Sequence, residues 1–313
     1  MHDCTGGGCF LPWMTRHPHP ASLTNGREQR TMFRLGKGKG RMHKFVIRGA
    51  RGSMPACGRD FQRYGGNTTC FSLETDEGFI LFDMGTGVVS ADAELQQRET
   101  LPPIAILFTH FHLDHLIGLP RFGPLYNPNA RLTFMGDPNR PDQWRRNLST
   151  FVSSPYWPAD LGTSVSAKIF EDLPDTVSPY DICGAKISWC PVFHPQSCLA
   201  YKIQGPESTI VIATDHEHRD SRLSERFLEF SRDVDVLIYD AMYLPEEYNL
   251  RKGWGHGNWQ QGVQLAMESG VGELILTHHD IHRTDNQLDE ILECAREFFP
   301  STRMAMENMV LST

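Results

Sequence analysis

An α+β chain built as a four-layer αββα sandwich is what this sequence predicts, and two observations carry it. From Lys44 onward, short apolar runs are closed by polar clusters, and helical periodicity appears between them. Early runs follow one another closely, as in a hairpin-rich sheet, while later ones alternate with helices. Sheets inside and helices outside would bury both patterns. The 313 residues, 40% hydrophobic and 22% charged, are neither disordered nor fibrous and can bury the core of one large domain or two small ones.

Taken in order, residues 44–47, 70–74, 78–83 and 104–109 read as strands, each a short aromatic or branched-aliphatic run closed by polar residues or glycine. A helix fits 116–119. Strands return at 186–190, 199–203 and 209–214, followed by a helix over 221–231 and a strand over 234–240. A helix over 259–268, a strand over 273–277, a helix over 286–298 and a strand over 304–311 close the domain, which spans 44–313. No internal repeat at fixed spacing occurs. Residues 1–43 differ: Gly6, Gly7 and Gly8, then Pro18 and Pro20, then Arg27, Arg30, Arg34, Lys37, Lys39 and Arg41. Such a composition buries little, so a flexible basic tail is expected, either a solvated extension or residues upstream of a start at Met42.

The formal charge of -8 repels polyanions at long range and argues against an extended nucleic acid as partner. No apolar run reaches the roughly eighteen residues of a membrane span, and Phe10 to Met14 is too short for a signal-peptide core. A soluble cytoplasmic protein with no membrane partner is expected. The eight cysteines are too sparse for a disulfide scaffold and show no Cys-x-x-Cys pairs, so they are read as reduced thiols.

Histidine is where the sequence becomes specific. The run Ile104 to Phe108 leads into Thr109, His110, Phe111, His112, Leu113, Asp114 and His115, an H-x-H-x-D-H string. While the chain stays extended, His110, His112 and Asp114 share one side, and the following turn brings His115 around. Imidazole with carboxylate suits zinc, manganese or iron rather than calcium or magnesium. His194, Asp215 and the pair His278 and His279 each follow a further strand, giving more ligands than one tetrahedral ion holds. Two ions are the economical reading, and such a pair implies hydrolysis.

These residues resemble the metallo-β-lactamase fold family, and within it the phosphodiesterase branch typified by ribonuclease Z and the small cyclic phosphodiesterases. The resemblance runs from about Met42 to the last strand. It implies His110, His112 and His194 on one metal, Asp114, His115 and His278 on the other, and Asp215 bridging. Thr277-His278 matches the family's last ligand better than His279 does, which leaves His279 and His282 to support ligands or face substrate. Asp83 matches an aspartate that buttresses the metal loop. Tyr239-Asp240-Ala241-Met242 and Gly255-His256-Gly257-Asn258 match the His-Glu-Ala-Thr and Gly-His-Ser-Thr segments of ribonuclease Z, with Asp in place of Glu. Asp240 would orient His256, so that His256 donates a proton to a departing alkoxide. The catalytic residues implied are therefore His256, Asp240 and Asp114.

The branch implies a dinuclear phosphodiesterase that attacks a small or cyclic nucleotide-like phosphodiester through a metal-bridging hydroxide. Its cofactors would be two divalent ions, zinc first, with manganese or iron as alternatives. An RNA-processing endonuclease of the ribonuclease Z type is the competing reading, but that enzyme's arm between the third histidine and the bridging aspartate is absent here. A thioester or lactone hydrolase of the same fold would not need Asp240 and His256. A homodimer is compatible with the resemblance. The Tyr126 to Lys186 insertion, with Trp144, Arg145, Arg146, Tyr156 and Trp157, is expected to pack as a lid or dimer contact, or to stack a base. Asn67 reads as a turn residue first and a phosphate contact second. His216, Glu217 and His218 read equally as cleft lining and as a solvent-facing turn.

Overall fold

The computed structural model describes residues 43–174, 178–219 and 222–313, apart from the side chains of Arg222 and Leu223. The expected basic tail lies outside them except for His43. Among the described residues, fourteen strands form two seven-stranded sheets. The first contains β1 (Lys44–Gly49), β2 (Cys70–Glu74), β3 (Phe79–Phe82), β4 (Ile104–Leu107), β5 (Arg131–Gly136), β6 (Ala167–Asp172) and β14 (Met309–Ser312), with β14 beside β1 at the edge. The second contains β7 (Tyr180–Ile182), β8 (Ala185–Val192), β9 (Cys198–Gln204), β10 (Thr209–Ala213), β11 (Val236–Asp240), β12 (Glu273–Thr277) and β13 (Thr302–Met304) in neighbour order.

Strand alternation sorts each sheet into two faces. Phe45, Ile47, Ile80, Phe82, Ala105 and Leu107 of the first sheet meet Ile187, Leu199, Tyr201, Ile212, Ile238 and Ile275 of the second in the central layer. The intervening residues Phe79, Leu81, Ile104 and Ile106 pack outward with Val88, Ala91 and Leu95 of α1 (Val88–Gln96) and with Trp144 and Leu148 of α2 (Pro141–Phe151). On the second sheet, Val211, Leu237 and Leu274 pack with Phe227 of α3 (Arg222–Phe230), Val263 of α5 (Trp259–Ser269) and Leu288 and Ile291 of α6 (Asp285–Phe298). The single turn α4 (Pro245–Tyr248) follows β11. Asn258 with Gln261 and Thr284 with Gln287 form capping boxes that start α5 and α6 after the loops bearing His256 and His278. The expected αββα sandwich is the observed fold.

Two expectations are corrected. The strand read over 304–311 is two strands in different sheets, β13 and β14. Between them the chain crosses the sandwich: the Ala305 amide donates to Leu276 O, Asn308 donates to Ile47 O, and Asn308 has φ 62°. The apolar residues Met304 to Met306 and Met309 to Leu311 on either side hide that crossing, which falls at the polar pair Glu307-Asn308. The helix expected at 116–119 is a pair of 3₁₀ turns, Leu113–His115 and Leu119–Arg121. Gly118 donates instead to Met84 O, and Pro120 follows it. The Tyr126 to Lys186 insertion supplies β5, α2 and β6. Trp144 is buried and donates to Asp172, and Arg145 stacks on it, so these two side chains pack on their own domain, one of the expected alternatives.

Strands β3 to β6 run parallel, as do β10 to β13. Their carboxyl ends converge at one edge of the sandwich, where an open α/β sheet presents its functional groups.

Candidate metal centre

Every sequence-predicted ligand lies on that edge. Asp83 follows β3, the His110 to His115 string follows β4, His194 follows β8, Asp215 follows β10, Asp240 ends β11 and His278 follows β12. Asp83, Asp215 and His278 hold left-handed backbone, φ 61°, 55° and 60°. That conformation costs a non-glycine residue about 1–3 kcal/mol, and it turns each side chain off the strand and into the cleft. The donor atoms form three overlapping groups, the members of each within 4.8 Å of one another: His110, His112, His194 and Asp215; Asp114, His115 and His278; and Asp215, Asp240, His256 and His278, the last including the Asp240–His256 pair. Asp215 also reaches the second group, with Oδ2 3.1 Å from His115 Nε2 and Oδ1 3.3 Å from His278 Nε2.

Hydrogen bonds on the far side of the rings fix which nitrogen faces inward. The His115 Nδ1–H donates to Asp83 Oδ2 at 2.8 Å. Thr109 gives its hydroxyl proton to Asp83, so its Oγ1 accepts from His110 Nδ1 at 3.1 Å. Thr214 likewise donates to Asp215, so its Oγ1 accepts from His278 Nδ1 at 3.0 Å. Gly255 O accepts from His194 Nδ1 at 2.9 Å. The opposite nitrogens of His110, His115 and His278 are buried in the centre without a hydrogen-bond partner. His194 Nε2 faces His112 Nδ1 at 3.1 Å, where two ring nitrogens can share only a proton or a cation. Oriented imidazoles backed by carboxylate, hydroxyl or carbonyl groups, with inward lone pairs and anionic oxygens between them, fit divalent metal. The Ser53 amide also pins Asp114 Oδ2 at 2.8 Å, and Gly52 packs so closely on the His278 ring that a Cβ would overlap it.

Electrostatics divide the first two groups. Burial, reinforced by neighbouring histidines, holds His110 well below its ordinary pKa, and burial also lowers His112 and His194, so all three are neutral. Burial opposes charge on His115 too, but Asp114, Asp215 and Asp83 outweigh it and raise that ring well above its ordinary range. His279 stands apart. It donates to Ala305 O, packs on Tyr64, and is driven down to about 3 by burial and Arg51.

Residues 79–279 match the β-lactamase superfamily domain. The chain belongs to that superfamily. The probable metallo-hydrolase YhfI of Bacillus subtilis (strain 168) is 26% identical over 238 residues, covering 75% of this chain and 86% of YhfI. Its crystal structure superposes with a TM-score of 0.65 at 20% identity, over 87% of this chain and 99% of that one. Ribonuclease BN of Escherichia coli O1:K1 / APEC is 25% identical over 293 residues, covering 76% of this chain and 90% of the relative. A diphosphatase of the PhnP family superposes with a TM-score of 0.64 at 16% identity, over 87% of this chain and 98% of that one. This superfamily member is a hydrolase with the metallo-β-lactamase fold, which typically binds divalent metals, and its histidines and aspartates form clusters able to hold them.

Beside the centre of this superfamily member, Asp240 Oδ2 lies 2.8 Å from His256 Nδ1, and the same ring nitrogen is 3.7 Å from Asp215. Burial works against charge on His256, but Asp240, by charge and hydrogen bond, pushes its pKa up to about 9. Asn67 is a turn residue: its amide and side chain donate to Glu307, and its carbonyl accepts from Ala50 and Arg51. Glu217 neither lines the cleft nor faces solvent. It is fully buried under the loop that carries His256. The sequence reading also missed Thr109 and Thr214. A signal was available, because β4, β10 and β12 each lead into a threonine directly ahead of a ligand. No helix among the described residues is long and apolar enough to cross a membrane.

Proposed function

We propose that this chain is a dinuclear metal-dependent phosphodiesterase hydrolysing a small or cyclic nucleotide-like phosphodiester, with zinc the first candidate metal and manganese or iron the alternatives. The observation that carries the reading is the Asp240–His256 pair, set beside the two ligand groups with its ring nitrogen 3.7 Å from Asp215. His110, His112 and His194 would hold one ion, Asp114, His115 and His278 the other, and Asp215 would serve both. When bound, such a pair supplies a water ionised near neutral pH and positive charge for the phosphoryl oxygens.

The protein's own residues do the rest. Asp240 keeps the proton on His256 Nδ1 and stabilises the imidazolium, and His256 Nε2 gives its proton to the departing oxygen as the P–O bond breaks. An alkoxide is a poor leaving group at neutral pH, so a phosphodiester requires this donor, while a thioester, which departs as a thiolate, does not. Likeness to a ribonuclease and a diphosphatase supports phosphoester chemistry. Beside His110 opens a small cavity of about 50 Å³ bounded by Phe111, Trp144, Asp137, Arg140 and Asn147. At its mouth the half-buried Phe111 offers an aromatic face on which a nucleobase would stack rather than a pocket that encloses one. Ribonuclease BN favours the RNA-processing alternative, but β9 and β10 form a plain hairpin between His194 and Asp215, with no arm to grip a long RNA. The test is turnover of bis(p-nitrophenyl) phosphate by zinc- and manganese-loaded protein against a chelated blank. Chelator-sensitive hydrolysis is expected, and an untouched ester alongside a cleaved thioester or lactone would overturn the assignment of His256.

A further inference from the structure

Glu217 is buried between the ligand loops, and every group around its carboxylate is a donor. Gly253 N lies 2.9 Å from Oε1 and 3.0 Å from Oε2, and Gly255 N lies 2.9 Å from Oε2. Tyr248 donates to Oε1 at 3.1 Å and Arg219 Nε at 2.9 Å. Gly253 and Gly255 hold φ 99° and 92°, which only glycine adopts cheaply, so the carboxylate staples a backbone turn that side chains would disfavour. The carbonyl of Gly255 accepts from His194 Nδ1, and the next residue is His256. The Glu217 amide donates to Phe193 O, and Arg219 stacks 3.8 Å over the Phe193 ring, directly ahead of His194. Glu217 thus touches both chain segments, that of His256 through its carboxylate and that of His194 through its amide and through Arg219.

We infer that Glu217 is a positioning residue: its carboxylate holds the Gly253–Gly255 turn so that His256 is set to deliver its proton while His194 is fixed in the tautomer that faces the metal. The inference rests on the phosphodiesterase reading for its effect on turnover. Its geometric part does not depend on that reading. A carboxylate accepts at both oxygens, whereas the isosteric amide would aim an NH₂ at donors already in place. Glu217→Gln therefore breaks the staple with almost no change in volume.

The test uses metal-loaded full chain and two esters, methyl p-nitrophenyl phosphate and methyl phenyl phosphate. Glu217→Gln should lose at least about tenfold more turnover on the phenyl ester than on the nitrophenyl ester, as expected when proton delivery is misaligned. At saturating zinc the metal content by elemental analysis should match wild type, and on a His256→Ala background the substitution should add no further preference between the esters. Equal loss on both esters, or a further preference without His256, would overturn the inference. If wild type cleaves neither ester, the phosphodiesterase reading falls, and proton NMR of the zinc-loaded protein decides the positioning. There, the Nδ1 protons of His194 and His256 should exchange with water faster in Glu217→Gln, and unchanged exchange would refute it. Should that variant not fold, Gly253→Ala keeps the carboxylate and strains the turn. It should give the same signatures, and their absence would count equally against the inference.

Discussion

Replacing Asp240 by Asn tests the acid assignment without changing the shape of the site. The Asp240 carboxylate accepts from His256 Nδ1, Met242 N and His216 N. Burial alone would depress His256, yet its pKa stands near 9 against an ordinary 6.5. At about 1.4 kcal/mol per unit, the displacement is worth roughly 3 kcal/mol. A group whose folded pKa is raised stabilises the fold fully below its unfolded pKa and loses that contribution as pH rises through the folded one. Chelated wild type should therefore lose up to roughly 3 kcal/mol of unfolding free energy between about pH 6.5 and 9 from this group, a loss missing from Asp240→Asn. Asparagine keeps an oxygen for Met242 N but turns an NH₂ to the ring, so His256 should titrate below 6.5 and rest in the tautomer protonated at Nε2. A neutral imidazole is a far weaker acid than an imidazolium. Turnover of an ester with a poor leaving group should fall by about 10²–10⁴. Urea unfolding at the two pH values, a proton NMR titration of His256 and the ester assay measure the three consequences. A His256 that still titrates near 9 in Asp240→Asn would show that Asp215 and Asp114 hold its charge, and the reasoning would fail.

His256→Ala should keep its metal by elemental analysis and lose most turnover of poor leaving groups, with a much smaller loss on a nitrophenyl ester. Asp215→Ala removes the one carboxylate shared by both ligand groups, so metal content should fall, and full occupancy would show that it does not bridge. Asn147→Trp should fill the cavity beside His110 and raise KM for a nucleoside cyclic phosphate about tenfold or more while leaving methyl p-nitrophenyl phosphate unaffected. An unchanged KM would place the base elsewhere.

The fold is legible where a short apolar run is closed by turn residues at both ends. Residues 70–74 and 273–277 were read with the observed bounds, because each is an apolar run with turn residues on both sides. α2 escaped notice because its buried face is only Trp144 and Leu148 on an otherwise polar helix. β6 escaped because it is an edge strand, with none of its residues buried. The metal string was visible because four donors in six residues have no ordinary structural use. Glu217 was not. A buried carboxylate is recognisable only by its donors, and these are two backbone amides, a tyrosine and an arginine that the sequence does not tie to it. The choice between His278 and His279, which the sequence left to a family match, rests in the structure on what each ring nitrogen meets: Thr214 and an open centre for one, Ala305 O for the other.

Metal removal should loosen the molecule in a particular place. His110, His112, Asp114 and His115 come from the end of a strand in the first sheet, while His194, Asp215 and His278 come from strands of the second. Ions held between them would tie the two sheets at their carboxyl edge, and binding a thousandfold above the dissociation constant would add about 4 kcal/mol. Chelation should therefore lower Tm and speed amide exchange in the loops after β4, β8, β10 and β12 more than in the central layer. Proton release on reloading should be unequal. The neutral His110, His112 and His194 release no net proton on binding, because the proton that His112 Nδ1 shares with His194 can move to the other nitrogen of His112, whereas His115 in the metal-free protein is protonated between Asp114, Asp215 and Asp83 and must give up a proton to bind. The first ion should load with little proton release and the second with release of about one proton, so acid should empty the Asp114, His115 and His278 group first. Calorimetric titration with zinc in two buffers of different ionisation enthalpy counts those protons. Equal release for both ions, or a Tm indifferent to chelator, would mean that the two sets of side chains do not hold metal as separate sites spanning the sheets.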